Sequence, residues 1–129
     1  MTQKLQTLWD LNSMPWEQVT DHFQRQLVSG ENAMFAHLKL RKGCLVPKHS
    51  HHNEQLSYIL SGRLRFLIGD DEQEVIVGPG QVLELPAHLP HSAEALVDTE
   101  GIDIFSPPRQ DWLDGTDAYL REGAADSEA

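Results

Sequence analysis

Three side chains in the stretch from Gly43 to Gly62 have the types and the spacing of metal ligands. His49, His51 and Gln55 occupy odd positions, and in an extended strand side chains two residues apart point to the same side. Imidazole suits zinc, copper, iron and nickel, and a carboxamide oxygen adds a harder, neutral ligand. Glu54 is the alternative to Gln55, because a β-bulge after His51 would turn the carboxylate to that side. The sequence therefore predicts half of a metal site in this stretch.

A second histidine motif, Leu85 to His91, can supply a further ligand from another strand. His91 begins an alternating apolar and polar run, whereas His88 lies in a turn between two prolines. We therefore expect His91 to bind the metal and His88 to lie near the mouth of the pocket. The alternative is that the histidines at positions 49–52 form an exposed polar loop without ligand function.

A candidate for proton transfer lies in the run GIDIF, where Ile102 and Ile104 take one face of a strand and Asp103 and Phe105 take the other. If the second face lines the interior, desolvation raises the pKa of the Asp103 carboxyl group toward the range useful for acid–base catalysis. Arg109 follows, and its planar guanidinium matches a carboxylate. The alternative is an exposed Asp103 and a surface Arg109.

Tyr58 is a further candidate for the pocket, although strand parity alone leaves its direction open. Arg63 and Arg65 share a face opposite Leu64 and Phe66. Solvated arginines on the outside of a sheet are the more common arrangement, so we expect these two at the surface.

Short alternating runs, separated by glycine, proline and aspartate turns, fill the centre of the chain. The clearest is AMFAHLKLR, in which four apolar residues from Met34 to Leu40 share one face. His37 falls on the other face and is expected at the surface or at a subunit interface rather than at the metal. That face also carries Phe35, which makes it a candidate dimer contact.

These strands, with no long helical pattern between them, predict an all-β antiparallel domain that is closed or sandwiched. We assign residues 1–22 to an N-terminal arm, residues 23–108 to the β-barrel and residues 109–129 to a C-terminal segment. That segment can form a short helix at 118–121 and ends in an acidic tail.

Composition limits the class of protein. The 129 residues fit one domain, and a net charge of −10 repels phosphate backbones and anionic membranes, so neither nucleic acid nor membrane is an expected partner. Cys44 is the only cysteine, which excludes an internal disulfide and fits a reducing compartment. No apolar run has the length of a signal peptide or a membrane span, so a cytoplasmic location is expected.

Two motifs carry a family resemblance. The pattern G-x5-H-x-H-x3-Q-x6-G, which starts at Gly43, resembles the first cupin motif, with Gln55 where many members have Glu. The pattern G-x5-P-x-H-x2-H, which starts at Gly80, resembles the second, with His88 where Gly is usual and Ala95 where Asn is usual. The resemblance implies a small cupin: a double-stranded β-helix, or jelly-roll barrel, commonly a homodimer, with one divalent metal ion such as nickel, zinc, manganese or iron inside.

The order of His-x-His-x3-Gln, a distal His and then Asp-x-Phe-x3-Arg is similar to that of the uronate-ketonising cupins associated with pectin and alginate breakdown. This resemblance implies a small anionic substrate, a 4,5-unsaturated uronate, that is opened and ketonised by a metal-dependent isomerase. Asp103 would then be the acid and base, Phe105 a pocket wall and Arg109 the carboxylate clamp. A metal-dependent dioxygenase and a non-catalytic small-ligand-binding cupin are the alternatives.

Overall fold

Alternation of apolar and polar residues produces ten strands in two antiparallel sheets, followed by two short helices, in the computed structural model, which describes residues 6–123. The strands are β1 (Glu17–Thr20), β2 (Phe23–Ser29), β3 (Met34–Leu40), β4 (Leu45–His49), β5 (Glu54–Ser61), β6 (Leu64–Ile68), β7 (Gln73–Val77), β8 (Val82–Leu85), β9 (His91–Ala95) and β10 (Thr99–Ser106). The helices are α1 (Gln110–Asp114) and α2 (Ala118–Gly123).

The strands form the jelly-roll barrel that the sequence predicts. One sheet has the strand order β1-β2-β3-β10-β5-β8 and the other has the order β4-β9-β6-β7. The core lies between them, and the four apolar residues predicted to share a face of β3 are all buried, at 5% exposure or less. Phe23, Ile59 and Phe66 are buried in the same core. Burying a large apolar side chain contributes about 1.5–3 kcal/mol each, so this interior is the main source of stability.

The residues assigned to an N-terminal arm contain regular structure. Leu11–Ser13 form one 3-10 turn, and β1 pairs with β2 at the edge of the six-stranded sheet. Gln26 on β2 holds the turn, because its side-chain Nε2 donates to the carbonyl oxygens of Leu11 at 2.8 Å and Met14 at 3.0 Å. Residues 1–5 lie outside the described range.

The helix expected at 118–121 is part of α2, whereas α1 was not predicted from the sequence. Helix α1 ends at Gly115, which adopts a left-handed conformation with φ 71°. No helix between residues 6 and 123 combines the length and the hydropathy that a membrane crossing requires. Residues 124–129, the acidic tail, are not among the described residues.

A buried ionic network fastens α2 to the first two strands. Arg25 on β2 donates from Nη1 to Asp117 Oδ2 at 2.7 Å, and both side chains are fully buried. Glu17 and Arg121 extend the network toward the surface, with Arg121 Nη2 2.7 Å from Glu17 Oε2. Removing one partner of a buried pair leaves an uncompensated charge and costs about 3–5 kcal/mol, so the network stabilises the docked position of α2.

The turn after β5 depends on a glycine, which leads to a stability prediction. Gly62 has φ +90°, and a Cβ there would collide with the Asp98 carbonyl oxygen and would lie 2.6 Å from Thr99 Cα. Gly69 has a similar φ of +77°, but a Cβ there would meet no atom within 4 Å. We expect Gly69→Ala to lose about 1–2 kcal/mol from backbone strain alone and Gly62→Ala to lose at least about 2 kcal/mol more, measured by urea unfolding. Equal losses at the two positions would contradict a steric role for this contact.

Candidate metal centre

The histidine-rich stretch from Gly43 to Gly62 changes sheet in its middle. β4 ends at His49 in the four-stranded sheet, His51 lies in the connection, and Gln55 belongs to β5 in the six-stranded sheet. The premise that the three residues share one extended strand is therefore wrong, because the chain crosses between the sheets at residues 50–53. The connection is only four residues long, so the three side chains still lie close together at this corner of the barrel.

Three imidazoles meet at this corner. The nearest ring nitrogen atoms of His49, His51 and His91 all lie within 4.8 Å of one another. His91 comes from β9, which pairs with β4 so that His49 and His91 stand opposite each other. The ring centroids of this pair are 4.4 Å apart. Two motifs that are distant in sequence thus supply one cluster.

Each imidazole is oriented by its own backbone. The Nδ1 atom lies 2.8 Å from the Pro47 carbonyl oxygen in His49, 3.0 Å from that of Asn53 in His51 and 2.8 Å from that of Leu89 in His91. A carbonyl oxygen only accepts, so Nδ1 carries the proton and Nε2 presents a lone pair. Burial lowers the pKa of His49 to about 3 and that of His51 to about 4, and it also lowers the pKa of His91. All three rings are therefore neutral at pH 7.

Gln55 completes the donor set. Its Nε2 donates to Ser57 Oγ at 2.9 Å and to Asp103 Oδ2 at 3.4 Å, which turns Oε1 toward the cluster, 3.1 Å from His51 Nε2. With the proton of His51 on Nδ1, both atoms present lone pairs, and a cation between them would stabilise this arrangement. His91 Nε2 is buried and has no hydrogen-bond partner among residues 6–123. Both observations fit a divalent metal ion bound by three imidazole nitrogens and one amide oxygen.

The other sequence candidates near this centre lie at the surface. Glu54 and His52 are exposed, so the alternative in which Glu54 replaces Gln55 is not the arrangement observed. His88 is also exposed, with φ 68°, and only its backbone N–H contacts the site, donating to the His51 carbonyl oxygen at 2.7 Å.

Asp103 and Phe105 lie on the inner face of β10, as the alternation in GIDIF predicts. They line a cavity of about 40 Å³ together with His49, Gln55, His91 and Arg109. Burial raises the pKa of Asp103 to about 6, against the opposing effects of the Ser57 hydrogen bond and the charge of Arg109. A carboxyl group with this pKa can both accept and return a proton near neutral pH.

Arg109 is enclosed at the end of the cavity and is 3% exposed. Its guanidinium carbon lies 5.2 Å from the centre of the Phe105 ring and 5.1 Å from the centre of the Trp112 ring. Nε and Nη2 donate to Asp111 at 3.0 and 2.9 Å. Nη1 is buried, and the described part of the chain offers it no hydrogen-bond partner. This nitrogen is therefore available to a ligand anion.

Asn53 connects the metal corner to Arg109. Its carbonyl oxygen accepts from His51, and its side-chain Nδ2 donates to the carbonyl oxygens of Pro107 at 2.6 Å and Pro108 at 3.2 Å. Because Pro108 directly precedes Arg109, one buried residue positions the histidine through its backbone carbonyl and the guanidinium through its side chain.

The structure does not bring three other polar candidates to the cavity. Tyr58 points outward from β5 and is 38% exposed. Arg65 forms ion pairs with surface carboxylates. His37 lies on the outer face of β3, where Nε2 is 2.6 Å from Glu100 Oε2.

A larger, open groove of about 250 Å³ lies near Thr99, at the other end of β10 from Phe105, and is lined by side chains of both charges.

Four contributing residues were not found from the sequence. Ser57 could have been, because it lies two residues after Gln55 and a strand repeats its face every two residues. Asn53, Trp112 and Tyr119 carry no such signal. Their positions depend on the sheet crossing and on how the C-terminal helices pack against the barrel.

Comparison with known proteins identifies relatives of the whole barrel. The family model described as the cupin domain matches residues 36–104, which include both histidine motifs. KdgF from Halomonas sp. is 26% identical, with a TM-score of 0.76, over 83% of this chain and 100% of that chain. An RmlC-like cupin from Shewanella frigidimarina is 23% identical, with a TM-score of 0.76, over 86% and 99%. Bacillus subtilis oxalate decarboxylase is 20% identical, with a TM-score of 0.69, over 82% and 31%. No curated protein sequence matches significantly.

The neutral histidines lead to a prediction about metal uptake. Adding Ni²⁺ or Zn²⁺ to the chelator-treated protein should raise its Tm, because the ion binds the folded state. The free energy of unfolding should rise by about 2.7 kcal/mol when free metal is at 100 times Kd. His51→Ala should lose most of this gain, whereas the exposed neighbour variant His52→Ala should keep it. Because the rings are already neutral at pH 7, uptake should release no protons, so the calorimetric enthalpy should be the same in buffers of different ionisation enthalpy. Proton release, or equal stabilisation of both variants, would contradict the assigned centre.

Proposed function

Because the chain belongs to the cupin domain family, we propose that it is a metal-dependent isomerase that opens and ketonises the ring of 4,5-unsaturated uronates. The observation that carries the proposal is the content of one cavity. It combines a neutral histidine centre, the Asp103 carboxyl group with its pKa near 6, and a buried Arg109 nitrogen without a partner. These are the groups needed to bind an anionic sugar and to move a proton on it.

The charge distribution supports an anionic ligand. A net charge of −10 repels anions from most of the surface. Inside the cavity, Arg109 is a buried cation: burial opposes its charge, but the hydrogen bonds to Asp111 and Tyr119 outweigh burial and raise the pKa of the guanidinium. The three imidazoles and Gln55 carry no charge that would cancel that of a bound ion. The cavity is therefore the place where a carboxylate is favoured, and the free Arg109 Nη1 would donate to it.

A divalent ion bound to the three imidazoles and the Gln55 oxygen would supply Lewis acidity toward the oxygen atoms of the sugar. The chain itself supplies proton transfer. The Asp103 carboxylate accepts the proton of the anomeric hydroxyl as the bond between the anomeric carbon and the ring oxygen breaks. Asp103 then returns that proton to C4, which converts the resulting enol oxygen at C5 into a ketone. One proton moves and no electrons are gained or lost, so the reaction is an isomerisation.

The decisive experiment measures loss of ultraviolet absorbance from the conjugated double bond of an unsaturated monouronate. Wild-type protein loaded with Ni²⁺, Zn²⁺, Mn²⁺ or Fe²⁺ in turn should consume this absorbance. Asp103→Asn should be about 10²–10⁴-fold slower, because the acid–base group is gone, while the surface variant Asp71→Asn should match the wild type. Equal rates for Asp103→Asn and wild type would remove Asp103 from the mechanism.

The free energy of unfolding, measured as a function of pH, checks that the slow variant Asp103→Asn is folded. The raised pKa means that Asp103 favours the fold when protonated, below its unfolded pKa of 3.8, and that this contribution is lost as pH rises through about 6. In the metal-free protein, Asp103→Asn should therefore be more stable than wild type at pH 8, by about 3 kcal/mol. The difference should vanish below pH 4.

Oxygen dependence separates the proposal from the two alternatives. The same rate in air and without oxygen supports isomerisation. A strict requirement for oxygen, with oxygen consumed in proportion to substrate, would identify a dioxygenase. Tight ligand binding without turnover across a panel of substrates would identify a binding protein. A cytoplasmic location remains part of the proposal, and the lone cysteine fits the reducing compartment that this location implies.

We also propose a homodimer formed through the outer face of the six-stranded sheet. Leu56, Tyr58 and Leu60 on β5 and Val82 on β8 are 38–58% exposed there. Ile102 and Ile104 on β10 join this patch, since Ile102 pairs with Tyr58 and Ile104 with Leu56. Phe35 pairs with Ile104 from the other side. Two chains of charge −10 repel each other, so their contact requires a largely apolar centre, which this patch provides although the exposed Glu84 pairs with Leu56 at its edge.

A charge placed in the patch tests the dimer. Wild-type protein should sediment as a dimer, and Leu56→Glu should sediment as a monomer, because like charges would face each other across the two-fold axis. Leu113→Glu changes an equally exposed leucine on α1 and should leave the dimer intact. A monomeric wild type would contradict the proposal.

A further inference from the structure

The wall of the cavity formed by residues 109–123 differs from the others in how it is held. The strands are bonded to one another through backbone ladders. Among the described residues, the backbone hydrogen bonds of this C-terminal segment stay inside it, such as Leu113 N–H to Arg109 and Leu120 N–H to Asp117. Side chains alone therefore dock it against the barrel.

The size of the cavity shows that one wall has to move. Its volume is about 40 Å³, whereas sites for small organic ligands usually measure roughly 300 Å³ or more. Space for an ion and a few water molecules is present, but space for a sugar ring is not. The C-terminal segment is the wall that can shift without breaking a β-ladder.

Tyr119 on α2 contacts both functional parts of the site. Its ring centroid lies 4.7 Å from that of His49, at an interplanar angle of 32°. Its hydroxyl oxygen accepts from Arg109 Nη2 at 2.9 Å and from Trp112 Nε1 at 3.3 Å. These contacts leave Arg109 Nη1 as the guanidinium nitrogen directed to a ligand.

The anchor of α2 fixes the place of Tyr119. Asp117, two residues earlier, is held by Arg25 at 2.7 Å and by Arg121 at 3.0 Å. This network shares no residue with the histidine cluster, so α2 is attached to the barrel at Asp117 and contacts the site at Tyr119.

We propose that Tyr119 is a positioning residue for ligand binding. The Tyr119 hydroxyl holds the Arg109 guanidinium in the direction of a ligand carboxylate, and because both residues lie in the C-terminal segment, this contact is kept when the segment shifts to admit the ligand. The class of ligand, a carboxylate-bearing sugar, rests on the function proposed above. Tyr119 itself neither binds the metal nor transfers a proton.

The test uses D-galacturonate, a saturated uronate that cannot undergo the proposed isomerisation, and calorimetry with Co²⁺-loaded protein. Tyr119→Phe keeps the ring over His49 and removes only the hydroxyl, so it should bind galacturonate about 10-fold more weakly, since hydrogen bonds to charged groups contribute on this scale. Its Co²⁺ affinity should match that of wild type, and its Tm should fall only slightly, because Trp112 Nε1 loses its acceptor. The matched control is Tyr58→Phe, which removes the hydroxyl of the chain's other tyrosine, on the outer face of the barrel, and should change neither affinity.

Three results would overturn the inference. The first is that Tyr119→Phe binds galacturonate within twofold of wild type. The second is that its loss of galacturonate binding only parallels a lower Tm and weaker Co²⁺ binding. The third is that the wild type does not bind galacturonate. A different pattern would remove the proposed isomerase alone. If the wild type binds galacturonate, Tyr119→Phe weakens that binding and no unsaturated uronate is turned over, the positioning role of Tyr119 stands without the isomerase.

Discussion

Hydrogen bonds from the three histidine Nδ1 atoms to backbone carbonyls determine what this barrel can bind. Each acceptor lies two residues from its histidine, so the local backbone sets the direction of the ring. The bonds keep the proton on Nδ1 and direct the Nε2 lone pairs inward, which is the arrangement a metal ion needs. Residue Asn53, which orients His51, also fixes the chain before Arg109. The position of Arg109 thus depends on the same corner as the three histidines.

The electrostatics of the cavity follow from that geometry. Neutral ligands leave a bound divalent ion uncompensated, and the neighbouring Arg109 adds a second positive charge. The Asp103 carboxyl group balances part of this positive charge when it is ionised, and burial keeps its pKa near 6. The cavity can therefore exchange a proton near neutral pH while remaining attractive to an anion. On an otherwise acidic protein, this combination would favour anion binding in this cavity.

The sequence predicts most accurately what depends on a period of two. Two features could be read directly, because each lies within one strand. One is the inner face of β3, and the other is the separation of Asp103 and Phe105 from Ile102 and Ile104. The crossing between His49 and Glu54 could not, since parity carries no information about which sheet a residue joins. Helix α1 and the position of Tyr119 were also beyond the sequence. They depend on a buried ion pair between Arg25 and Asp117, which are 92 residues apart.

Strand β5 has its polarity reversed for much of its length. Its inward residues include Gln55 and Ser57, and its outward residues are Leu56, Tyr58 and Leu60. A slip of one residue would exchange the two faces and bury the leucines, so hydrophobic collapse alone favours the wrong register. The native register is selected instead by hydrogen bonds of the buried polar groups and by Ile59. Strand β5 is thus a point of local frustration, where the requirements of the proposed site oppose those of folding.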